Sequence, residues 1–331
     1  MLFTTPIAIS HSDREISYQN KILSIGSCFA DNLTKLLRTA FFQIESNPFG
    51  VLYNPASIAH CLQLLQQTYD TSPSHVAATI PIVEHSGLFH SMLHHGSFSS
   101  PSKEDVMEHI TQSLEQGARF LSQADILILT FGSAWVYEYK GQVAGNCHKL
   151  PSSSFRRRCL SVEEIVATYN QLTMLPLLNN KRIIFTVSPI RHLKDGLHAN
   201  QLSKSILLLA IDHLTEHLSD TNTQPLKETP QTLWEYFPSY EIILDELRDY
   251  RFYADDMVHP SEKAIEYVGT RFAETYFSSQ TVDTMKQLKK LYNNLQHRPL
   301  HPDTDEYRKF SEYVSQQLNI WQTKFPWINY P

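Results

Sequence analysis

Cysteine is scarce in this chain of 331 residues, and the four that occur form no CxxC pair. They are Cys28, Cys61, Cys147 and Cys159. So few and so scattered cysteines exclude a disulfide framework and a cysteine-rich zinc site. They are typical of a reducing compartment, and we therefore expect a cytoplasmic protein.

Long hydrophobic runs are also missing. No stretch approaches the roughly 18 apolar residues that a membrane-spanning helix needs. The first ten residues lack the basic segment and the sustained apolar core of an export signal. We therefore expect a soluble protein that is not exported and does not act at a membrane.

Positive charge is in short supply as well. The 34 aspartates and glutamates outnumber the 28 lysines and arginines, which leaves a formal net charge of -6. That balance gives the chain no general electrostatic affinity for the nucleic-acid backbone. Neither GxGxxG nor GxxxxGK occurs, so no nucleotide-binding loop is recognisable. We expect neither a nucleic-acid partner nor a cofactor.

Metal-binding motifs are absent too, although the chain contains sixteen histidines. The HExxH pattern does not occur. The cluster of His90, His94 and His95 has no adjacent acidic residue that would complete a ligand set. We therefore predict that the protein holds no metal.

What the chain does have is apolar sequence for a large core, since 42% of its residues are hydrophobic. Apolar runs that indicate buried strands alternate with amphipathic helical patterns. The strand candidates are residues 21–26, 126–131, 183–187 and 240–244. The helix candidates begin after Gly26, at Pro55, before Val106, at the capping box of Ser161 and Glu164, before Leu207 and at Pro260.

This alternation predicts the fold class. Apolar strands separated by helices are typical of a mostly parallel sheet covered on both faces, a three-layer α/β/α sandwich. We expect that domain at residues 1–280 and a helical C-terminal extension at 281–331, with a surface loop at 219–230. In such folds the chemistry gathers at the carboxyl ends of the strands. The pattern leaves the oligomeric state open.

Ser27 follows the first predicted strand and precedes the first predicted helix. At that place a hydroxyl projects from the sheet edge beside the free amides of the helix. Such a serine can attack a carbonyl if a base takes its proton, and the amides can stabilise the resulting oxyanion. The alternative is a simple helix cap. Cys28 is a rival nucleophile, but we expect it to face the core as a small apolar residue.

Asp256 and His259 lie just ahead of the last core helix. With this spacing the aspartate can bond Nδ1 of the imidazole while Nε2 faces a serine, which makes the histidine a general base. The alternative is that both residues only cap the helix. A strand-end serine and a late DxxH pair can meet at one sheet edge, so the two signals support each other.

Several short blocks also resemble the GSCFA proteins of the SGNH/GDSL-like hydrolase superfamily. The blocks are Gly-Ser-Cys-Phe-Ala at 26–30, Asn-Pro-Phe-Gly at 47–50, Asn-Cys-His-Lys at 146–149, Ser-Pro-Ile-Arg-His at 188–192 and Asp-Met-Val-His-Pro at 256–260. The resemblance extends over about residues 20–275. It implies that Ser27 is the nucleophile and that Asp256 and His259 are its catalytic partners.

The resemblance also implies an oxyanion hole. In the superfamily the donors are the amide of the nucleophile, a glycine after the second strand and an asparagine in a Gly-x-Asn block. Ser27 and Gly50 fit the first two, whereas residues 131–135 lack the asparagine. The groups that can replace it are the side chains of Asn47 and Asn146 and the amides of Gly132 and Ser133. A proline-containing turn is the alternative role of Asn47 and Gly50.

Polar residues that follow the strand at 183–187 lie at the same predicted sheet edge as Ser27. The candidate substrate-binding residues are Asn146, His148, Ser188, Arg191 and His192. The cation of Arg191 can hold a carboxylate, a phosphate or a sugar hydroxyl, with a structural ion pair as the alternative. For most of the arginine run at 156–158 we expect a solvated face.

These observations predict a serine esterase that removes a short acyl group, such as acetyl, from a small hydroxylated substrate or a carbohydrate. Two alternatives stay open. If a second alcohol outcompetes water at the acyl-enzyme, the protein is an acyltransferase. If the missing Gly-x-Asn block means that catalysis is lost, the protein is a binding protein on a hydrolase-like scaffold.

Overall fold

The chain alternates between strands and helices throughout the part that a computed structural model describes, residues 4–216 and 233–329. The strands are β1 (Lys21–Gly26), β2 (Gln43–Ser46), β3 (Ile82–His85), β4 (Leu88–Ser91), β5 (Ile126–Phe131), β6 (Trp135–Tyr139), β7 (Gln142–Ala144), β8 (Phe155–Cys159), β9 (Arg182–Val187) and β10 (Leu233–Phe237). The helices are α1 (Cys28–Thr39), α2 (Pro55–Asp70), α3 (Pro73–Thr79), α4 (Lys103–Gln123), α5 (Val162–Leu172), α6 (Leu197–Glu216), α7 (Ser239–Glu241), α8 (Glu262–Tyr276), α9 (Ser279–Leu295) and α10 (Asp305–Lys324). The predicted surface loop at 219–230 lies outside the described residues.

Five strands form a central sheet in the order β10-β9-β5-β1-β2, and every neighbouring pair is parallel. The register places Gly26 opposite Thr130 and Phe131 opposite Val187. Because all five strands run in one direction, their carboxyl ends meet at a single edge of the sheet. That edge carries the candidate functional residues.

Helices cover both faces of this sheet. Alternate residues of β5 belong to different hydrophobic clusters: Leu127 and Leu129 pack with α2, α4, α5 and α6, and Ile126 and Ile128 pack with α1, α8 and α9. Such alternation is what a strand buried on both faces produces. The predicted three-layer α/β/α sandwich is confirmed.

One predicted strand is wrong. Residues 240–244 are helical, with α7 followed by a π-helical turn at Ile242–Glu246, and the fifth strand is β10. Pro238 follows β10 directly and cannot donate a ladder hydrogen bond, so the strand ends there. A short apolar run suits a helix and a strand equally well, and periodicity alone does not separate them.

The C-terminal segment is helical, as expected. Helices α9 and α10 contribute to the same hydrophobic cluster as α1 and α8. The ring of Phe325 stacks on Tyr18 with centroids 4.9 Å apart, and Trp327 Nε1 donates to the Phe41 carbonyl at 3.1 Å. These helices share a core with the sheet, and the division at residue 280 stays a prediction.

A three-stranded antiparallel sheet in the order β7-β6-β8 follows β5 in the chain and lies beside the carboxyl edge of the central sheet. The Leu160 amide donates to the Ala134 carbonyl at 2.8 Å, which extends the pairing of β6 and β8 by one residue. Within the described residues no helix combines the length and the apolar character that a membrane span requires.

Candidate active site

Ser27 lies between β1 and α1, where it is the N-cap of the helix and only 1% exposed. The Phe29 amide donates to Ser27 Oγ at 3.3 Å. The preceding Gly26 has φ +152°, and a Cβ atom on it would lie 2.2 Å from the Thr130 carbonyl oxygen. Only glycine therefore allows β1 and β5 to approach closely at this point. The cap expected for Ser27 is present, at the sheet edge where the nucleophile was predicted.

The strand order reverses next to Ser27. The chain runs from β1 outward to β2 and then returns to the other side of β1 as β5. In open α/β sheets this reversal creates a crevice at the carboxyl ends of the strands, and ligands bind there. Here a cleft of about 480 Å³ occupies the position. Its lining includes Ser27, Asn54, Ser188, Arg191, His192 and His259.

The DxxH pair forms in the turn ahead of α8. His259 Nδ1 donates to Asp256 Oδ2 at 2.6 Å, and the amides of Val258 and His259 both donate to Asp256 Oδ1 at 2.9 Å. These donors lower the pKa of Asp256 to about 2, the His259 amide having the largest effect and the ring the next. The carboxylate is thus ionised and holds the imidazole in a fixed orientation.

The structure brings Ser27 and His259 to one cleft but joins them by no direct bond. Within the described residues no hydrogen bond links the Ser27 hydroxyl to the His259 ring, and the His259 side chain is 47% exposed. The ring is therefore held by Asp256 and is also accessible from solvent. Catalytic hydrogen bonds are often long in ligand-free sites and shorten only when substrate is bound.

Asn47 and Gly50 hold a turn after β2 and lie outside the lining of the cleft. Asn47 Oδ1 accepts from the Gly26 amide at 2.8 Å, and Nδ2 donates to Asp31 at 2.6 Å. The Gly50 amide donates to the Asn47 carbonyl at 2.7 Å. These contacts leave neither residue a donor for an oxyanion in the cleft, and they fit the alternative role of a structural turn.

Two other predicted oxyanion donors are backbone amides that already have acceptors. The Ser27 amide donates to the Thr130 carbonyl at 3.3 Å, and the Gly132 amide donates to the Tyr53 carbonyl at 2.8 Å. Gly132 does lie beside the nucleophile, since a Cβ atom on it would be 3.4 Å from Ser27 Cβ. The oxyanion roles of these two amides stay predictions.

Asn54 is a residue of the cleft that the sequence reasoning missed. It is 5% exposed and caps α2, with the Ser57 amide donating to Asn54 Oδ1 at 2.8 Å. That bond fixes the orientation of the side-chain amide, because only the oxygen can accept. Its Nδ2 donor has no acceptor within the described part of the chain and borders the same cleft as Ser27. An asparagine before Pro55 is an N-cap signal that could have identified it.

Four of the five predicted substrate-binding residues line the cleft, namely Asn146, Ser188, Arg191 and His192. Burial, with the nearby charge of Lys204 as the second cause, lowers the pKa of His192 to about 4, so its ring is neutral near pH 7. His192 Nε2 is buried without a hydrogen-bond partner among the described residues. His192 thus brings an unpaired buried nitrogen to the wall of the cleft.

The fifth, His148, is placed elsewhere. Its Nε2 bonds the Ser91 carbonyl at 2.7 Å, and its ring stacks on His90 with centroids 4.6 Å apart. His148 does not line the cleft. The prediction that His148 contacts substrate in the cleft is therefore corrected: its ring is used in packing instead.

Arg157 is the one residue of the arginine run at 156–158 that lines the cleft. Its guanidinium carbon lies 3.9 Å from the ring centroid of Trp135, and the group forms an ion pair with Asp195. Arg158 instead pairs with Glu138 on the other side of β8. Alternation of side chains along a strand separates the two arginines, a signal that a search for charge runs overlooks.

Cys28 was expected to face the core, and it does so only in part. It packs against the hydrophobic cluster behind α1 and also lines the cleft. Its Sγ atom lies 3.6 Å from the hydroxyl of Tyr53. Burial raises the pKa of Tyr53, so this hydroxyl stays protonated beside the thiol.

Lys204 is a second residue that sequence reasoning missed. It is 1% exposed, and its Nζ donates to the carbonyls of Gly132 and Ser188, both at 2.6 Å. Burial lowers the pKa of Lys204 to about 7. The side chain ties together the segments that follow β5 and β9. No group of three or more metal-ligating side chains occurs among the described residues.

These features define an α/β/α protein with a polar cleft at the switch point of its sheet. The family is shown by comparison of the sequence with family models. The model of the GSCFA family matches residues 21–272, and that of the GSCFA domain protein, C-terminal domain, matches residues 277–330. The chain belongs to the GSCFA family. The comparison with curated proteins found no match, and neither did the comparison with solved structures.

Proposed function

We propose that the protein is a serine esterase of the SGNH type. The observation that carries the proposal is that Ser27 and an Asp256-bound His259 line one cleft at the carboxyl ends of parallel strands. A buried hydroxyl at a helix N-terminus, a histidine and a carboxylate that orients it are the three groups that nucleophilic acyl transfer needs. The likeness of the sequence blocks to SGNH/GDSL-like hydrolases supports the same roles.

In the proposed reaction Ser27 Oγ attacks the acyl carbonyl of the ester, and His259 Nε2 takes the serine proton. Asp256 stabilises the imidazolium through its bond to Nδ1. The imidazolium then protonates the alcohol as it leaves, which produces an acyl-enzyme. His259 next removes a proton from water as the water oxygen attacks the acyl carbonyl. The bond between the acyl carbon and Ser27 Oγ then breaks, the imidazolium returns its proton to Oγ, and the acid is released.

Asn54 supplies the side-chain oxyanion donor in this proposal. The superfamily places an asparagine in a Gly-x-Asn block, which the chain lacks at residues 131–135. The free Nδ2 of Asn54 borders the cleft from the first turn of α2, so it offers the same chemistry from a different segment. One such donor is typically worth about 3 to 4 kcal/mol of transition-state stabilisation.

A small ester suits the cleft. Its volume of about 480 Å³ fits a short acyl group, such as acetyl, together with a small alcohol or one sugar residue. Asn146 and Ser188 add polar groups that can bind hydroxyls, and Trp135 and Tyr137 add an aromatic wall. These features support a hydroxylated substrate such as a carbohydrate ester.

Labelling by a fluorophosphonate probe tests the proposal. We expect covalent modification of Ser27 in the wild-type chain, none in Ser27→Ala and strongly reduced labelling in His259→Ala. Ser102→Ala is the matched control, because Ser102 also caps a helix but lies outside the cleft. Hydrolysis of 4-nitrophenyl esters of increasing acyl length should follow the same pattern, with the shortest esters cleaved fastest.

The absence of a bond between Ser27 and His259 in the described structure favours one alternative, a binding protein on the same scaffold. That alternative predicts an inert Ser27 and equally slow ester hydrolysis by the wild-type chain and Ser27→Ala. An acyltransferase would label like an esterase. It would differ in transferring the acyl group to an added alcohol faster than to water.

A further inference from the structure

The cleft differs in charge from the chain as a whole. The protein has a formal net charge of -6, yet the permanently charged residues of the lining are the cations Arg157, Arg191 and Lys194 and the single carboxylate Asp195. Arg157 is paired with Asp195. Arg191 and Lys194 form no ion pair with a carboxylate in the described part of the chain. Two positive charges in the cleft are therefore left without a protein counter-charge.

Arg191 is held in a way that leaves its hydrogen-bond donors free. Its guanidinium carbon lies 4.1 Å from the ring centroid of Tyr253 and 5.4 Å from that of Tyr250. Stacking on a ring uses the face of the guanidinium, whereas its five N–H groups point outward in the plane. None of these N–H groups has an acceptor among the described residues. A guanidinium held in this way can donate two parallel N–H hydrogen bonds to two oxygens of an anionic group.

The backbone places Arg191 next to the turn that carries the proposed base. The Arg191 amide donates to the Val258 carbonyl at 3.3 Å, and Val258 immediately precedes His259. Arg191 and His259 therefore lie on one wall of the cleft, and both line it together with Ser27. The Asp256 carboxylate on the same turn is already bound by the His259 ring and two amides, so it does not neutralise Arg191.

We propose that the cleft binds esters that carry a carboxylate or phosphate group, with the anion held by Arg191 and Lys194. The anionic group is thereby anchored to the wall that carries the base. The ester bond is presented toward Ser27. The identification of the ligand as an ester rests on the proposed function, whereas the anion site rests on Arg191 and its free donors.

Binding of ligands that contain no ester bond tests the anion site independently of catalysis. The probes are phenyl phosphate, benzoate and the neutral benzyl alcohol, titrated into the wild-type chain by calorimetry. We expect at least one anion to bind at least about tenfold more tightly than benzyl alcohol and to lose affinity as salt is added. A preference between phenyl phosphate and benzoate identifies the anionic group.

The matched variants are Arg191→Gln and Arg251→Gln, which remove the same charge. Arg251 stacks on Phe252 with its guanidinium carbon 5.5 Å from the ring centroid, but it does not line the cleft. We expect Arg191→Gln to weaken anion binding about tenfold or more and Arg251→Gln to leave it unchanged. Equal binding of neutral and anionic probes, or full anion binding by Arg191→Gln, would overturn the proposal.

Turnover separates this inference from the proposed function. The substrates are 4-acetoxybenzoate, 4-acetoxyphenyl phosphate and the neutral methyl 4-acetoxybenzoate. We expect the wild-type chain to prefer an anionic ester by about tenfold in kcat/KM and Arg191→Gln to lose that preference. Hydrolysis without any anion preference overturns the inference and leaves the esterase proposal standing. Arg191-dependent anion binding without hydrolysis of any ester supports the anion site and contradicts the esterase proposal.

Discussion

Two turns follow the first two strands of the sheet, and both were predicted to hold catalytic groups. After β1, Ser27 follows Gly26 and lines the cleft. After β2, Asn47 and Gly50 form a closed turn in which the Gly50 amide donates to the Asn47 carbonyl at 2.7 Å. Both turns contain a glycine at positive φ, +152° at Gly26 and +72° at Gly50. Two glycine-containing turns that look alike in the sequence therefore differ in their relation to the cleft.

The difference lies in what each glycine approaches. A Cβ atom on Gly26 would meet the backbone oxygen of Thr130 at 2.2 Å, so this glycine brings two strands together and sets the position of Ser27. A Cβ atom on Gly50 would meet the Cβ of His95 at 2.3 Å, which is a contact between a turn and a neighbouring loop. The second turn contacts the first through Asn47, whose side chain accepts from the Gly26 amide, and through the Leu52 amide, which donates to the Gly26 carbonyl at 3.0 Å. We infer that the β2 turn supports the site and takes no part in its chemistry.

The largest expected effect comes from adding a methyl group at the two glycines. Gly26→Ala should lower the free energy of unfolding by about 3 to 5 kcal/mol, because a left-handed backbone strain adds to a clash with backbone that cannot move aside. Gly50→Ala should cost about 1 to 3 kcal/mol, since the loop carrying His95 can shift. Urea unfolding measures both values. Equal losses in the two variants would contradict the distinction between the turns.

The two asparagines provide the next comparison. Asn54→Ser keeps an oxygen that caps α2 but removes the Nδ2 donor, so kcat/KM for a short ester should fall about 100- to 1000-fold with little change in stability. Asn47→Ser leaves the Gly26 amide without its acceptor, which should cost about 1 to 3 kcal/mol of stability while kcat/KM of the folded protein falls less than tenfold. Steady-state kinetics and urea unfolding of both variants measure these effects. Full activity in Asn54→Ser would remove Asn54 from the oxyanion hole.

The layers of the fold were predictable from the sequence because they depend on local patterns. The apolar runs at β1, β5 and β9 are each buried on both faces, and the capping box of Ser161 and Glu164 forms as expected at the start of α5. Residues 240–244 were misassigned because a run of five residues, four of them apolar, is too short for its periodicity to separate a helix from a strand. The strand order and register depend on contacts between distant segments, which one sequence does not display.

The candidate site was predictable only where the reactive residues carry a local signature. Ser27 follows a strand and Asp256 precedes His259 by three residues, and both patterns fix a local geometry. Asn54 and Lys204 have no such signature: one looks like an ordinary helix cap, and the other is a single lysine on the apolar pattern of α6. Their meaning depends on which strand ends lie beside them, and tertiary packing alone determines that.

Lys204 extends the comparison from the turns to the other half of the sheet edge. Asn47 binds the segments after β1 and β2 through a neutral amide, whereas Lys204 binds those after β5 and β9 through an amine that is fully buried and has no carboxylate partner among the described residues. Burial lowers the pKa of Lys204 from its ordinary value of 10.5 to about 7. The stabilising contribution of Lys204 should therefore depend on pH, whereas that of Asn47 should not.

The smallest expected effect is a slope in stability against pH. Between about pH 7 and 10.5 the unfolded chain keeps the Lys204 proton and the folded chain has released it, so unfolding takes up a proton and the wild-type free energy of unfolding rises with pH. Its contribution is at most about 1.4 kcal/mol per pH unit. Lys204→Met removes this pH-dependent contribution. Urea unfolding at pH 6, 7.5 and 9 should therefore show that the wild-type chain gains stability relative to Lys204→Met above pH 7. The free energy of unfolding of Asn47→Ser should change with pH as that of the wild-type chain does. If the free energies of unfolding of Lys204→Met and the wild-type chain changed equally with pH, Lys204 would stay charged in the folded protein. The segments after β5 and β9 would then be joined by a buried cation.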